Sequence, residues 1–158
     1  MRLYFSEADP VSVHSLTAAA HSLLTDISVA QGNSPMLIDS LLKKYARTEE
    51  ALGEMRRHIR AAANFFKHAE RDPAETYTFD LRQTEFLLFD ACHAYKELTG
   101  EFVPYLAVYW AWFFLGPGAG LVDTTAGGII ENLRRSFPGI TKGSFFREAL
   151  PMVSTVRP

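Results

Sequence analysis

The segment from Phe102 to Leu115 restricts the fold more than any other part of this 158-residue chain. Its fourteen residues are almost all apolar and rich in Tyr, Trp and Phe, and Gly116-Pro117-Gly118 follows them directly. A helix that crosses a bilayer needs about 20 apolar residues, so the segment is too short for that role. A helix that is apolar on most sides has to be surrounded by protein. We therefore predict a central helix at 102–115.

The rest of the chain follows a helical apolar repeat that is interrupted by residues typical of helix ends. Asp9-Pro10 predicts a helix start, because a short acidic side chain caps free amide groups and proline fits the first helical position. Thr48 predicts the cap of a helix from about 49 to 69. Thr99-Gly100 predicts the end of the helix that contains Phe86, since glycine is the usual terminator.

These patterns predict an all-α fold, a bundle of five or six helices that forms a single domain over residues 1–150. The first, third and fourth helices are expected to pack around the central aromatic-rich helix. Gly143 and Pro151 punctuate the end of the chain, so we predict one short helical turn at 145–150 and a loose tail at 151–158.

Composition and charge exclude several classes of protein. With 47% hydrophobic and 22% charged residues, the chain is neither disordered nor an integral membrane protein. The net charge of −2 predicts neither a nucleic-acid coat nor a membrane-surface protein, although residues 43–71 hold eight cations against four acidic residues. The single cysteine, Cys92, and the early Glu7 in place of a signal peptide predict a cytoplasmic protein with no membrane partner.

Motifs for metals, nucleotides and hydrolase nucleophiles are incomplete. None of the five histidines is paired at i and i+4, no Glu-x-x-His occurs, and one cysteine cannot build a zinc site, so we predict no metal and no cofactor. The G-x-G-x-G run at 116–120 lacks a downstream Lys-Ser/Thr and indicates a helix break. His14 and His21 lie seven residues apart, a spacing typical of half-buried, hydrogen-bonded histidines on one helix face.

One polar line of side chains carries the strongest chemical pattern. Arg60, Asn64 and His68 recur at i, i+4 and i+8, with Lys67 beside them and Asp72 four residues further on. Arg60 or Lys67 could hold a phosphate ester, Asn64 could orient it, and His68 could supply or accept a proton without a metal. The alternative is a solvated helix face on which His68 helps to cap the helix and Asp72 anchors the turn.

Three segments carry a resemblance to known proteins. AANFFKHAERDP at 62–73, DPVSVHSLTAAAH at 9–21 and VYWAWF at 108–113 resemble a family of small uncharacterised bacterial helical proteins. More distantly, a helical bundle that bears Arg, Asn and His resembles the HEPN superfamily, many of whose members are dimeric, metal-independent ribonucleases of toxin–antitoxin and defence systems. That resemblance implies Asn64 and His68 as catalytic residues, although Arg60 and His68 lie further apart here than in the usual HEPN motif.

Two functions therefore compete, and whether the chain is an enzyme stays open at this point. The first is a helical interaction or regulatory protein without a catalytic motif. The alternative is a HEPN-like metal-independent ribonuclease or RNA-binding protein that uses Arg60, Lys67 and Asp72 for binding.

A homodimer is the expected partner in either case. The aromatic helix is richer than a monomer of this size needs, so some of its rings are expected to be exposed and covered by a second copy. The residues concerned are Tyr105, Tyr109, Trp112 and Phe113.

Overall fold

A computed structural model of the protein describes residues 1–32, 36–71, 73–121 and 124–154. Within these ranges the chain is all-α, with eight α-helices and no β-strand, which confirms the predicted fold class. The helices are α1 (Arg2–Phe5), α2 (Pro10–Ala30), α3 (Leu37–Tyr45), α4 (Glu49–Lys67), α5 (Leu81–Thr99), α6 (Pro104–Leu115), α7 (Thr124–Ser136) and α8 (Lys142–Ser154). None of the helices in the described ranges has both the length and the apolarity that a membrane crossing requires.

The described residues form two compact units. One unit runs from Asp9 to Gly100 and contains α2 to α5, and the other contains α1 and α6 to α8. The single domain over residues 1–150 stays a prediction. The last helix continues through Pro151 to Ser154, into the segment expected to be a loose tail, and the Ser154 hydroxyl donates to the Leu150 carbonyl at 2.7 Å. Residues 155–158 lie outside the described ranges.

In the unit of α1 and α6 to α8, the aromatic-rich helix α6 lies at the centre. Tyr109 and Phe113 are fully buried, and no residue of α6 is exposed. Its partners within this unit are α7 and α8. The packing of the first, third and fourth predicted helices around it stays a prediction, because a periodic apolar pattern identifies which face of a helix is buried but not the partner.

The aromatic rings of this unit contact one another, so they do not form the exposed dimer surface expected from the sequence. Tyr109 and Phe113 are 0% exposed, while Tyr105 and Trp112 are half-buried. The Trp112 indole N–H donates to the Tyr4 hydroxyl at 3.1 Å. The aromatic residues therefore pack against one another inside the unit, and their number does not support a dimer.

Gly118 provides a test of this packing. A Cβ added at Gly118 would overlap the ring of Phe113, whereas nothing lies within 4 Å of a Cβ added at Gly120. Because the buried ring has little room to move, we expect Gly118→Ala to lower the free energy of unfolding by about 1–3 kcal/mol. The matched control, Gly120→Ala, should change it by less than about 0.5 kcal/mol. Urea unfolding followed by circular dichroism measures both, and equal effects would contradict this packing.

In the unit of α2 to α5, the helix ends follow the local signals in the sequence. The Asp9 carboxylate accepts a hydrogen bond from the Ser12 amide at 2.8 Å, and the Thr48 hydroxyl accepts one from the Ala51 amide at 3.1 Å. Gly100 ends α5 in the left-handed conformation, with φ of 70°. The three predicted helix ends are thus confirmed. Helix α2 packs on α5 and α4, and α3 packs on both α4 and α5.

Candidate functional site

The start of helix α3 is held by a carboxylate from a different helix. Asp90 on α5 is 0% exposed, and its Oδ1 accepts the Leu37 amide hydrogen at 2.9 Å while its Oδ2 lies 3.3 Å from the Ile38 amide. These amides belong to the first turn of α3, where no intrahelical acceptor exists. The residue at the N-cap position, Met36, has no side chain that could accept them. Asp90 therefore caps α3 from 53 residues away in sequence.

His21 on α2 is the third partner of the Asp90 carboxylate. The His21 Nε2 atom lies 2.9 Å from Asp90 Oδ2, and the two side chains are 19% and 1% exposed. An ionised carboxylate has only acceptor atoms, so the hydrogen of this bond belongs to Nε2. A neutral His21 then carries its lone pair on Nδ1, which forms no hydrogen bond with a described residue.

A cleft of about 370 Å³ opens beside His21, between α2, α3 and α4. One part of its wall is aliphatic and includes Val29, Leu42 and Ile59. The other part is polar and bears three cations as well as His21. The polar residues of the wall are His21, Thr25, Ser28, Asp39, Lys43, Arg56 and Arg60.

Two of the three cations in the cleft share one carboxylate. Arg56 donates through Nε to Asp39 Oδ1 at 2.8 Å, and Lys43 lies 3.0 Å from Asp39 Oδ2. Partial burial opposes ionisation of Asp39, but the hydrogen bonds from Lys43 and Arg56 outweigh it and hold the pKa of that carboxyl below its usual range. This network ties α3 to α4 along one wall of the cleft.

Arg60, one turn beyond Arg56 on α4, is the third cation. It forms no hydrogen bond or ion pair with any residue that the structure describes, and it lines the same cleft. The cleft therefore combines an uncompensated guanidinium with a fixed imidazole. A guanidinium of this kind binds carboxylates and phosphates through paired N–H donors.

The sequence-predicted ridge of Arg60, Asn64, Lys67 and His68 lies on α4 and its C-terminal cap residue. Asn64 and Lys67 are exposed on α4, and Arg60 is the member that lines the cleft. His68 is the C-terminal cap residue of α4, is 32% exposed, and lies 3.6 Å from Glu70. Asp72, predicted as a binding residue, lies outside the described residues.

Two other reactive side chains are sealed inside the unit. His14 is 0% exposed, its Nδ1 lies 3.0 Å from the Thr84 hydroxyl, and its buried Nε2 has no hydrogen-bond partner among the described residues. Burial lowers the pKa of His14. Burial also raises the pKa of Cys92 to about 12, which keeps it a thiol at neutral pH. The spacing of His14 and His21 thus predicted correctly that both are hydrogen-bonded.

In the described part of the chain, no group of three or more His, Cys, Asp or Glu side chains is arranged to hold a metal ion. The residues on the wall of the cleft can form hydrogen bonds, carry charge and exchange protons.

Sequence reasoning missed His21, Asp39, Arg56 and Asp90 as members of one site. His21 and Asp90 are separated by 69 residues, and Asp39 and Arg56 by 17. No periodic spacing connects such positions. The available signal was Asp90 itself, an acidic residue on a broad apolar face of its helix, because a carboxylate in such a place needs hydrogen-bond partners.

The chain was compared with protein-family models, curated proteins and solved structures, and none of them matches it.

Proposed function

We propose that the protein is a helical regulatory protein that binds a small anionic ligand in the cleft between α2, α3 and α4. The observation that carries this proposal is Arg60, a cation on the wall of the cleft without a counter-ion among the described residues. Arg56 and Lys43 supply further positive charge, with Asp39 fixing their positions. The aliphatic part of the wall suits an organic ligand that has an anionic group at one end.

The placement of the cleft supports a regulatory role. Its wall includes residues of α3, a nine-residue helix without a fully buried side chain, and residues of α2 and α4. An anion bound between these elements would add contacts that hold α3 against both neighbours. The ligand would then shift the protein toward the conformation in which α3 is docked, which is how a binding protein transmits a signal.

The decisive residue for this proposal is Arg60. A hydrogen bond to a charged group contributes about 1.5–3 kcal/mol, and each 1.4 kcal/mol corresponds to about tenfold in affinity. We expect Arg60→Gln to weaken binding of inorganic phosphate, sulfate or acetate by at least about tenfold, whichever of these anions the wild-type protein binds. Isothermal titration calorimetry measures the dissociation constants.

Arg57→Gln is the matched control, because it removes the same charge from the same helix. The Arg57 side chain is 76% exposed and lies 3.9 Å from Glu54, away from the cleft. Its substitution should change the affinity by less than about twofold. If no anion binds the wild-type protein, or if both variants bind equally well, the proposed function is wrong.

The ribonuclease alternative stays a prediction that depends on Asn64 and His68. Under the regulatory proposal, purified protein leaves RNA intact in the presence of EDTA. RNA cleavage that persists in EDTA and is lost in a folded His68→Ala variant would favour the ribonuclease function over the regulatory one.

A second copy of the chain also remains the proposed partner. The surface that supports a dimer is an exposed apolar face of α2. Leu16 and Leu23 are 59% and 60% exposed and lie seven residues apart on α2, so they share one face of that helix. We expect light scattering at micromolar concentrations to return the mass of a dimer, and Leu23→Glu to shift the mass toward that of a monomer. A monomer mass for the wild-type protein would contradict this part of the proposal.

A further inference from the structure

The hydrogen-bond chemistry of the cleft restricts which anion it can accept, provided that it binds anions as proposed above. Arg60 offers only donors, as every guanidinium does. His21 differs, because its Nε2 hydrogen is directed to the buried Asp90 carboxylate at 2.9 Å and the lone pair remains on Nδ1. Both residues line the cleft, so a ligand bound there meets a residue with donors only, Arg60, and a residue with an acceptor atom, His21.

The orientation of the His21 imidazole is fixed by its hydrogen bond to Asp90. The Asp90 carboxylate is 0% exposed and is itself held by the Leu37 and Ile38 amides, so it cannot turn away from the imidazole without leaving α3 uncapped. It also cannot donate a hydrogen while it is ionised. A neutral His21 therefore keeps Nε2 protonated and Nδ1 as an acceptor.

We propose that the cleft is specific for a phosphoryl group that retains one proton, and that His21 Nδ1 accepts the hydrogen bond from its P–OH while Arg60 binds the unprotonated oxygens. Inorganic phosphate has such a hydroxyl, as does the singly protonated form of an organic phosphate. Sulfate has the same shape and no proton at neutral pH. Its oxygens would meet the His21 lone pair, so that one polar contact is replaced by repulsion between acceptors.

The two anions form a matched pair for the experiment. In mildly alkaline buffer, phosphate is mainly the dianion HPO₄²⁻ and sulfate is SO₄²⁻, so both have the same charge and nearly the same size. We expect the wild-type protein to bind phosphate at least about tenfold more tightly than sulfate in calorimetric titrations. Equal affinities, or no binding of phosphate, would overturn the specificity, whereas the proposed function falls only if acetate and sulfate do not bind either.

The His21→Lys variant distinguishes the effect of the acceptor atom from the effect of positive charge at this position. An ammonium group can still donate to Asp90, but it has no acceptor to offer a ligand. Its added charge attracts both dianions equally, so the ratio of their affinities reports on the lost acceptor alone. We expect the ratio to fall to about one in this variant. An unchanged preference for phosphate would overturn the role of His21.

A measurement on the wild-type protein covers the case in which that variant does not fold. The ¹⁵N chemical shifts of the imidazole distinguish a protonated nitrogen from one with a lone pair. We expect the unprotonated resonance to belong to Nδ1 of His21 and to move when phosphate is added, but not when sulfate is added. A neutral imidazole with its hydrogen on Nδ1, or equal responses to the two anions, would contradict the proposal.

Phenylphosphonate distinguishes the two sources of such a group when it is compared with inorganic phosphate at a pH below the second ionisation of both, where each is a monoanion that retains a P–OH. Tighter binding than inorganic phosphate would identify an organic phosphoryl ligand that uses the aliphatic wall at Val29, Leu42 and Ile59. Weaker binding than inorganic phosphate, with both still above sulfate, would identify free phosphate as the ligand.

Discussion

Asp90→Asn is expected to lower the free energy of unfolding by about 3 kcal/mol, because it removes a buried negative charge to which three donors are hydrogen-bonded. The Asp90 carboxylate serves three donors, which are the amides of Leu37 and Ile38 and the Nε2 of His21. An asparagine of the same size has one acceptor oxygen, and its NH₂ group would face a donor. At least one donor at the start of α3 would then be left without a partner in a buried site.

The matched control for this substitution is Asp26→Asn. Asp26 is an exposed residue of α2, so its substitution should change the free energy of unfolding by less than about 0.5 kcal/mol. Urea unfolding followed by circular dichroism measures both variants. Hydrogen exchange then locates the effect, because the loss of the cap should increase exchange at α3 before other helices. Equal and small effects of the two substitutions would show that Asp90 does not hold α3.

The second large effect concerns acid stability and originates at His14. The imidazole is 0% exposed, and within the described part of the chain its Nε2 has no hydrogen-bond partner. The rings of Phe66 and Phe79 lie edge-on at 5.8 and 4.8 Å between centroids. Burial lowers the pKa of His14 from its ordinary value of 6.5. As the pH falls below 6.5, the unfolded chain binds the proton before the folded protein does. The free energy of unfolding therefore decreases, with a slope that approaches about 1.4 kcal/mol per pH unit for one proton.

His14→Gln should remove this contribution, since glutamine does not titrate. We expect the free energy of unfolding of the variant to fall less steeply between pH 7 and pH 5 than that of the wild-type protein, although the variant is less stable at neutral pH. His58→Gln is the control, because His58 is exposed on α4, and it should keep the wild-type slope. Urea unfolding at several pH values measures the three slopes. Three equal slopes would mean that His14 is not the group responsible.

Local signals in the sequence were sufficient for the fold class and for three helix ends. Asp9, Thr48 and Gly100 act on amides or carbonyls within a few residues of themselves, so their roles follow from spacing alone. The end of α8 was predicted less well. Pro151 suggested a break there, but the helix continues to Ser154, whose hydroxyl bonds to the Leu150 carbonyl.

The candidate site could be predicted only in part, because it is built from contacts between distant residues. Arg60 stood out through its spacing with Asn64 and His68 on one helix, and it does line the cleft. Its neighbours there, His21 and Asp39, come from α2 and α3, and only the packing of the three helices brings them together. The spacing within a helix shows which residues share a face, but it does not show what that face meets.

The most direct test of the anion-binding cleft is a titration of the ¹⁵N-labelled wild-type protein with inorganic phosphate, followed amide by amide in ¹H–¹⁵N spectra. We expect saturable shifts that cluster in residues 21–29, 36–43 and 56–60, the segments that form the wall of the cleft. Shifts that do not saturate, or that centre on residues 64–71 at the end of α4, would contradict it.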